Sequence, residues 1–186
     1  MTINDSRRHW FLTWRTYGTW LPGDERGFVG AVVEANGDRV IRNASGTPQE
    51  APSSGLRDHA QSVMRGTPIL LESGHAAELF AQFRETATVR GWTLLALAVL
   101  TNHIHVVVRV EGDPEGADVL RDFKSYASRR LNEVYCKPGN GSWWSESGSR
   151  RVLRDESNVV AAVRYVREQD GALLVWAVAL PELDVG

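Results

Sequence analysis

The stretch VLTNHIHVVVRV, residues 99–110, decides how the chain is read. Strand side chains alternate between faces, so Ile104, Val106, Val108 and Val110 point one way while His103, His105, Val107 and Arg109 point the other. Two imidazoles therefore stand side by side on one face of an otherwise apolar strand. They read either as polar residues of a half-buried sheet face or as half of a metal site.

A chain of 186 residues, 42% hydrophobic and 24% charged, fits one globular domain, 1–186, with a proper core. The longest apolar runs, LLALAVL at 94–100 and ALLVWAVAL at 172–180, are too short to span a bilayer. The N-terminal MTINDSRRHW has no hydrophobic signal core, so the expectation is a cytoplasmic protein without a membrane partner. A single cysteine, Cys136, excludes an intramolecular disulfide and a thiolate cluster. Any metal must then rely on His, carboxylate or amide ligands.

The net charge of −2 argues against a protein that coats duplex DNA, but the charge is unevenly placed. Between Arg121 and Arg167 ten Lys/Arg stand against five acidic residues, which leaves the remainder of the chain acidic. Lys124, Arg129, Arg130, Arg150, Arg151 and Arg154, together with Trp143 and Trp144, are the mixture expected of a surface that pairs with phosphates and stacks on bases. The plain alternative is a solvated helix face plus core tryptophans.

Outward from the histidine strand, HWFLTWRTY (9–17) alternates and predicts a first strand. Residues 18–66 are rich in Gly, Pro, Ser and Asn and predict a long inserted loop, with one short hairpin around VGAVVEANGDRVI. Leu79, Phe80 and Phe83 fall at helical spacing within 75–90, which stops at Gly91. WTLLALAVL is then the hairpin partner of TNHIHVVVRV. A second helix follows over about 117–135, with Val119, Leu120, Phe123, Ala127 and Leu131 inward. WWSESGSRRVL predicts a hairpin or strand pair, DESNVVAAVRYVREQ (155–169) a third helix, and ALLVWAVAL a last strand. The fold class expected is α+β, a ferredoxin-like antiparallel sheet (β-α-β-β-α-β) with an additional tyrosine-bearing helix and a C-terminal strand.

Tyr165 and Gln169 are four residues apart in the third helix and share a face beside the stripe Val159, Val163 and Val166. Two neutral His, at 103 and 105, and the amide oxygen of Gln169 would leave positions open on Mg²⁺ or Mn²⁺ for a phosphate oxygen. A tyrosine beside such an ion would attack the polarised phosphodiester and conserve the bond energy in a phosphotyrosine. Zinc is the rival ion for two His, but Gln is an unusual zinc partner.

NHIH with a valine-rich strand behind it resembles the His-hydrophobe-His motif of single-tyrosine HUH nucleases, and RYVREQ resembles their tyrosine helix. HWFLTWRTYGTWLPGDERG, FKSYASRRLNE and WWSESGSRRVL extend the resemblance to REP-associated tyrosine transposases over most of 9–179. Thr101 stands where relatives often have Pro, and the 18–66 insertion exceeds the minimal family pattern. The resemblance implies metal-dependent cleavage and joining of single-stranded, hairpin-forming DNA through a 5′-phosphotyrosine, with a free 3′-OH. Carried over, His103, His105 and Gln169 are the metal ligands and Tyr165 the nucleophile, in a monomer or homodimer.

Two other readings compete. A catalytically inactive single-stranded nucleic-acid-binding module would need exposed aromatics at the sheet centre. A small-molecule-binding ferredoxin-like regulatory domain leaves the His pair, the Arg-rich stretch and Tyr165 unexplained. Tyr126 and Tyr135 are rival nucleophiles, ranked lower because the second helix should cover the Ile104 face.

Overall fold

The computed structural model describes residues 7–25, 30–33, 38–42 and 51–179. Seven strands and four helices occur among them: β1 (Arg8–Thr16), β2 (Gly30–Val33), β3 (Arg39–Arg42), α1 (Ser54–Ser62), α2 (Ser73–Arg90), β4 (Thr93–Val99), β5 (His103–Val110), α3 (Gly116–Val134), β6 (Trp144–Leu153), α4 (Glu156–Arg167) and β7 (Leu174–Ala177). Five strands form one antiparallel sheet in the order β6-β1-β5-β4-β7, and β2 pairs with β3 as a separate hairpin. Apart from the α1 and β2–β3 insertion, β1-α2-β4-β5-α3-β6 is the expected ferredoxin-like unit. α4 and β7 are its additions.

The alternation read from the sequence sets the two faces of the sheet. Trp10, Leu12 and Trp14 of β1 join Ile104, Val106, Val108 and Val110 of β5 in one buried cluster under α2 and α3. Leu79 and Phe83 from α2, and Val119, Phe123, Ala127 and Leu131 from α3, fill it. Trp14, Phe83 and Phe123 meet edge to face in series, at 5.7 and 5.4 Å between ring centroids, a favoured aromatic geometry. On the opposite face Ala96, Ala98, Val107 and Leu153 pack against Ala162, Val163 and Val166 of α4.

Helix ends follow local chemistry. Gly91 ends α2 with φ of 68°, a left-handed conformation that glycine adopts without steric cost. Asp155 caps α4 by accepting from the Asn158 N–H at 2.8 Å.

Three sequence expectations are corrected. The 18–66 insertion holds the expected hairpin but also α1, capped by Ser53; none of its residues is buried, so no apolar periodicity announces it. Positions 26–29, 34–37 and 43–50 of that insertion lie outside the described residues. WWSESGSRRVL forms one strand, β6, paired along β1, and not a hairpin. Its Gly148 marks close approach instead of a turn: a Cβ there would lie 2.7 Å from Leu120 Cδ2 and 3.0 Å from the Thr13 carbonyl oxygen. The third helix ends at Arg167, two residues short of Gln169.

Candidate active site

Pairing of β1 with β5 sets Thr13 opposite His105 and Arg15 opposite His103, so this sheet face acquires polar neighbours for both rings. Asn102 Oδ1 lies 2.7 Å from His103 Nδ1 and accepts its proton. Asn102 is itself anchored, because its carbonyl accepts the Thr16 N–H at 2.9 Å and the Thr16 hydroxyl at 3.1 Å. The Thr13 hydroxyl lies 2.8 Å from His105 Nδ1. Nδ1 of His103 donates, so the lone pair of the neutral ring lies on Nε2, and His105 has the same arrangement in the tautomer whose Nδ1–H donates to the Thr13 hydroxyl. The two rings stand nearly perpendicular, 4.8 Å apart.

His105 is 5% exposed, and its Nε2 is buried without a hydrogen-bond partner among the described residues. Burial, and secondarily the neighbouring His103, hold its pKa down at about 4, so the ring is neutral at pH 7. A neutral imidazole with Nδ1 hydrogen-bonded and Nε2 orphaned fits a divalent metal ligand. Among the described residues there is no cluster of three or more His, Cys, Asp or Glu that could hold a metal ion. Among the described residues, a further protein ligand beside this pair would be of another type, such as an amide.

Tyr165 arrives from α4. Val163 and Val166 are buried against the sheet, which leaves Tyr165 at the edge of that contact, 52% exposed. Its ring meets His105 edge-on at 5.5 Å and Phe11 edge-on at 5.8 Å. His103, His105 and Tyr165 are thus brought together from β5 and α4. Gln169 lies just beyond the helix, and its Nε2 donates to the Tyr165 carbonyl at 3.0 Å, which leaves Oε1 as its acceptor atom.

The residues assigned to DNA from the sequence divide. Trp143 and Trp144 are each 5% exposed and belong to the core, which corrects their reading as a base-stacking surface. Their indole N–H groups are satisfied internally, Trp143 by Asn132 Oδ1 at 2.9 Å and Trp144 by Ser128 Oγ at 2.8 Å. Lys124 is half-buried and donates to the carbonyls of Ser145 and Glu146 at 2.6 and 3.2 Å, and Arg130 is paired with Glu78 and Glu133. Both are occupied within the fold. Arg129 is exposed and lies over Tyr126. Arg150 lines a groove with Arg121 and Lys124 on the α3 side of β6. Arg151 is exposed and lies over Phe11, 5.3 Å from the ring centroid, on the histidine face; Arg154 is exposed at the turn into α4.

Phe11, Thr13 and Asn102 are the residues that sequence reasoning missed. The alternation of HWFLTWRTY already places Phe11 and Thr13 on one face, but only the β1–β5 register sets them against His105. The rival tyrosines are elsewhere: Tyr135 stacks on His75 at 4.2 Å, and Tyr126 lies between Arg90 and Arg129.

Residues 65–169, more than half of the chain, match the family model described as "Transposase IS200 like". Among solved structures the chain is similar to a REP-associated tyrosine transposase bound to a REP hairpin, at 14% identity and a TM-score of 0.45. That match covers 86% of this chain and 64% of the other, so the chain spans less than two thirds of that relative. It is also similar to a putative transposase from Deinococcus radiodurans R1, at 16% identity and a TM-score of 0.43, covering 86% of this chain and 87% of that one. No curated protein sequence matches. Among the described residues no helix is long and apolar enough to cross a membrane.

Proposed function

Because the chain belongs to the IS200-like transposase family, we propose that it cleaves and rejoins single-stranded, hairpin-forming DNA with Tyr165 as the nucleophile. The observation that carries this reading is the meeting of Tyr165 from α4 with His105 of β5 at 5.5 Å between rings, His103 lying 4.8 Å from His105. The relative solved with a REP hairpin points to the same class of substrate. The binding-module alternative is weakened because the tryptophan pair that would have stacked bases is buried.

In this mechanism the Tyr165 oxygen attacks the scissile phosphorus, the Oη–P bond forms and the P–O3′ bond breaks. The downstream fragment stays on the enzyme through its 5′-phosphate as a 5′-phosphotyrosine, while the upstream fragment leaves as a 3′-OH, its oxygen taking up a proton that balances the one lost by the tyrosine. His103, His105 and the Oε1 of Gln169 would hold Mg²⁺ or Mn²⁺, which supplies Lewis-acid polarisation of the phosphate when bound. Asn102 and Thr13 orient the two imidazoles through their Nδ1 atoms. The half-exposed Tyr165 is open to a strand entering from solvent, whereas His105 beneath it is shielded from water.

The test is covalent capture. A hairpin-forming oligonucleotide is selected for binding from a library with randomised single-stranded flanks and incubated with Mg²⁺. The wild type should yield a protein–DNA adduct resistant to denaturation, and chelator should abolish it. Tyr165→Phe should fold and bind the hairpin but form none, while the Phe variants of Tyr17, Tyr126 and Tyr135 still react. An adduct with Tyr165→Phe would move the nucleophile elsewhere.

A further inference from the structure

Phe11 sits between two groups across three adjacent strands. In the order β6-β1-β5 it is opposite Arg151 on one side and diagonal to His105 on the other. The Arg151 guanidinium lies 5.3 Å from the Phe11 centroid, and His105 stacks on the same ring at 5.6 Å with 24° between planes. Tyr165 closes the group with its edge on Phe11 at 5.8 Å. One aromatic ring therefore touches a metal-ligand candidate, the candidate nucleophile and a cation.

From this geometry we infer that Arg151, laid against Phe11, docks the DNA phosphate next to the one that Tyr165 attacks, with Phe11 as the positioning residue that ties this docking group to the reacting pair. The inference rests on the proposed nuclease reading. Arg151 is exposed, and among the described residues its charge is not paired with a carboxylate. A guanidinium against a ring keeps its N–H edge outward in a fork that matches phosphate oxygens, and the ring reduces the rotamer freedom lost on binding. Phe11 stands between Arg151 and His105, so the phosphate held by Arg151 is a neighbour of the scissile one and not the scissile one itself.

Four other basic side chains near these strands do not share this placement. Arg130 is tied to Glu78, Lys124 and Arg150 line the groove on the opposite side of β6, and Arg15 lies over Trp20. Arg151 alternates with Arg150 along β6, so of these two only Arg151 joins the histidine face.

The experiment scans one neutral methylphosphonate along the single-stranded flank of the selected oligonucleotide, measuring affinity in chelator and adduct formation in Mg²⁺. Wild type should lose roughly tenfold in affinity at one position beside the cleaved linkage, as expected for a charged hydrogen bond. Arg151→Ala should show that loss on natural DNA, lose nothing further at that position, and retain the wild-type response elsewhere. Its salt slope for single-strand binding should fall by about 0.7, the value of one released counterion. Arg151→Lys should restore part of the affinity. Phe11→Leu should blunt the same positional response and slow the adduct more than it weakens binding. Two results overturn the inference: an Arg151→Ala protein that binds natural DNA like wild type, or one that still responds at every position as wild type does. A wild type that shows the coupled position yet never forms an adduct overturns the nuclease reading alone.

Discussion

The two faces of the central sheet are built from the same strands and put to opposite uses. On one, Trp10, Leu12, Trp14, Ile104, Val106, Val108 and Val110 are closed over by two long helices, α2 and α3, and all are buried. On the other, the single 12-residue α4 packs on Ala96, Ala98, Val107 and Leu153, and His9, Phe11, Thr13 and Arg15 of β1 are left half-covered. A face that supplies most of the apolar burial relieves its neighbour of that duty. The second face can then hold imidazoles, hydroxyls and guanidinium groups in a partly dry setting, where electrostatic interactions are stronger than in water.

Breaking each face should therefore break a different property. His105→Ala removes an orphaned ring nitrogen from the site face. It should reduce adduct formation by about 10³-fold or more, since several kcal/mol of phosphate polarisation depend on the held ion. Calorimetric titration with Mn²⁺ should lose its binding signal in parallel, and hairpin affinity in chelator should stay near wild type. Normal Mn²⁺ binding by this variant would remove His105 from the ligand set.

Phe123→Ala attacks the other face. Phe123 is fully buried and meets Phe83 and Trp92 at 5.4 and 5.5 Å. Its truncation should cost about 3–5 kcal/mol in urea unfolding. The molecules that remain folded should form adduct at the wild-type rate. A specific activity that falls in step with stability would mean that the faces are coupled and not separate.

The sequence carried the dry face almost completely, because burial there is periodic: Val119, Leu120, Phe123, Ala127 and Leu131 are buried as the helical spacing required. Strand alternation and a helical stripe also fixed which way the His pair and Tyr165 point. What depended on long-range pairing was not legible. Phe11 and Thr13 became site residues only through the register that sets Thr13 against His105. Trp143 and Trp144, beside basic residues, looked like a wet stacking surface, yet Asn132 and Ser128 satisfy their indoles inside the fold. Gln169 was placed on a helix that stops before it: Gly171 was read as the stop, but the cap Glu168 already departs from helical geometry three residues earlier.

A smaller effect is expected at Gly148, where β6 passes beneath α3. An added Cβ would press on Leu120 Cδ2 and on the Thr13 carbonyl oxygen, and only the first can move aside cheaply. Gly148→Ala should cost about 1–3 kcal/mol by overpacking. The shift would be felt at Thr13, whose hydroxyl supports His105, so Mn²⁺ affinity should weaken modestly as well. Unchanged stability would show that β6 has slack against α3, and would leave Thr13 decoupled from that side of the sheet.

The least disruptive comparison uses Lys124, the cation that α3 holds against the carbonyls of Ser145 and Glu146. Burial lowers its pKa to about 8 from the ordinary lysine value of 10.5, against a smaller opposing effect of Glu146. Below pH 8 both folded and unfolded chains carry the proton, and the folded state bears the full cost of a poorly solvated charge. Between about 8 and 10.5 the folded protein releases the proton first. The unfolded state then binds more protons, so the Lys124 contribution to stability rises with pH across that window and levels off above it. Lys124→Met has nothing to titrate at this position. The stability of wild type minus that of Lys124→Met, from urea unfolding at pH 7, 8, 9 and 10, should be flat at first and then climb. Adduct yield at pH 7 should hardly differ between the two, because Lys124 serves the groove on the α3 side and not the histidine face. A difference that stays constant with pH would mean that Lys124 is solvated in the folded state, and a lost adduct would mean that DNA reaches around the β6 edge to it.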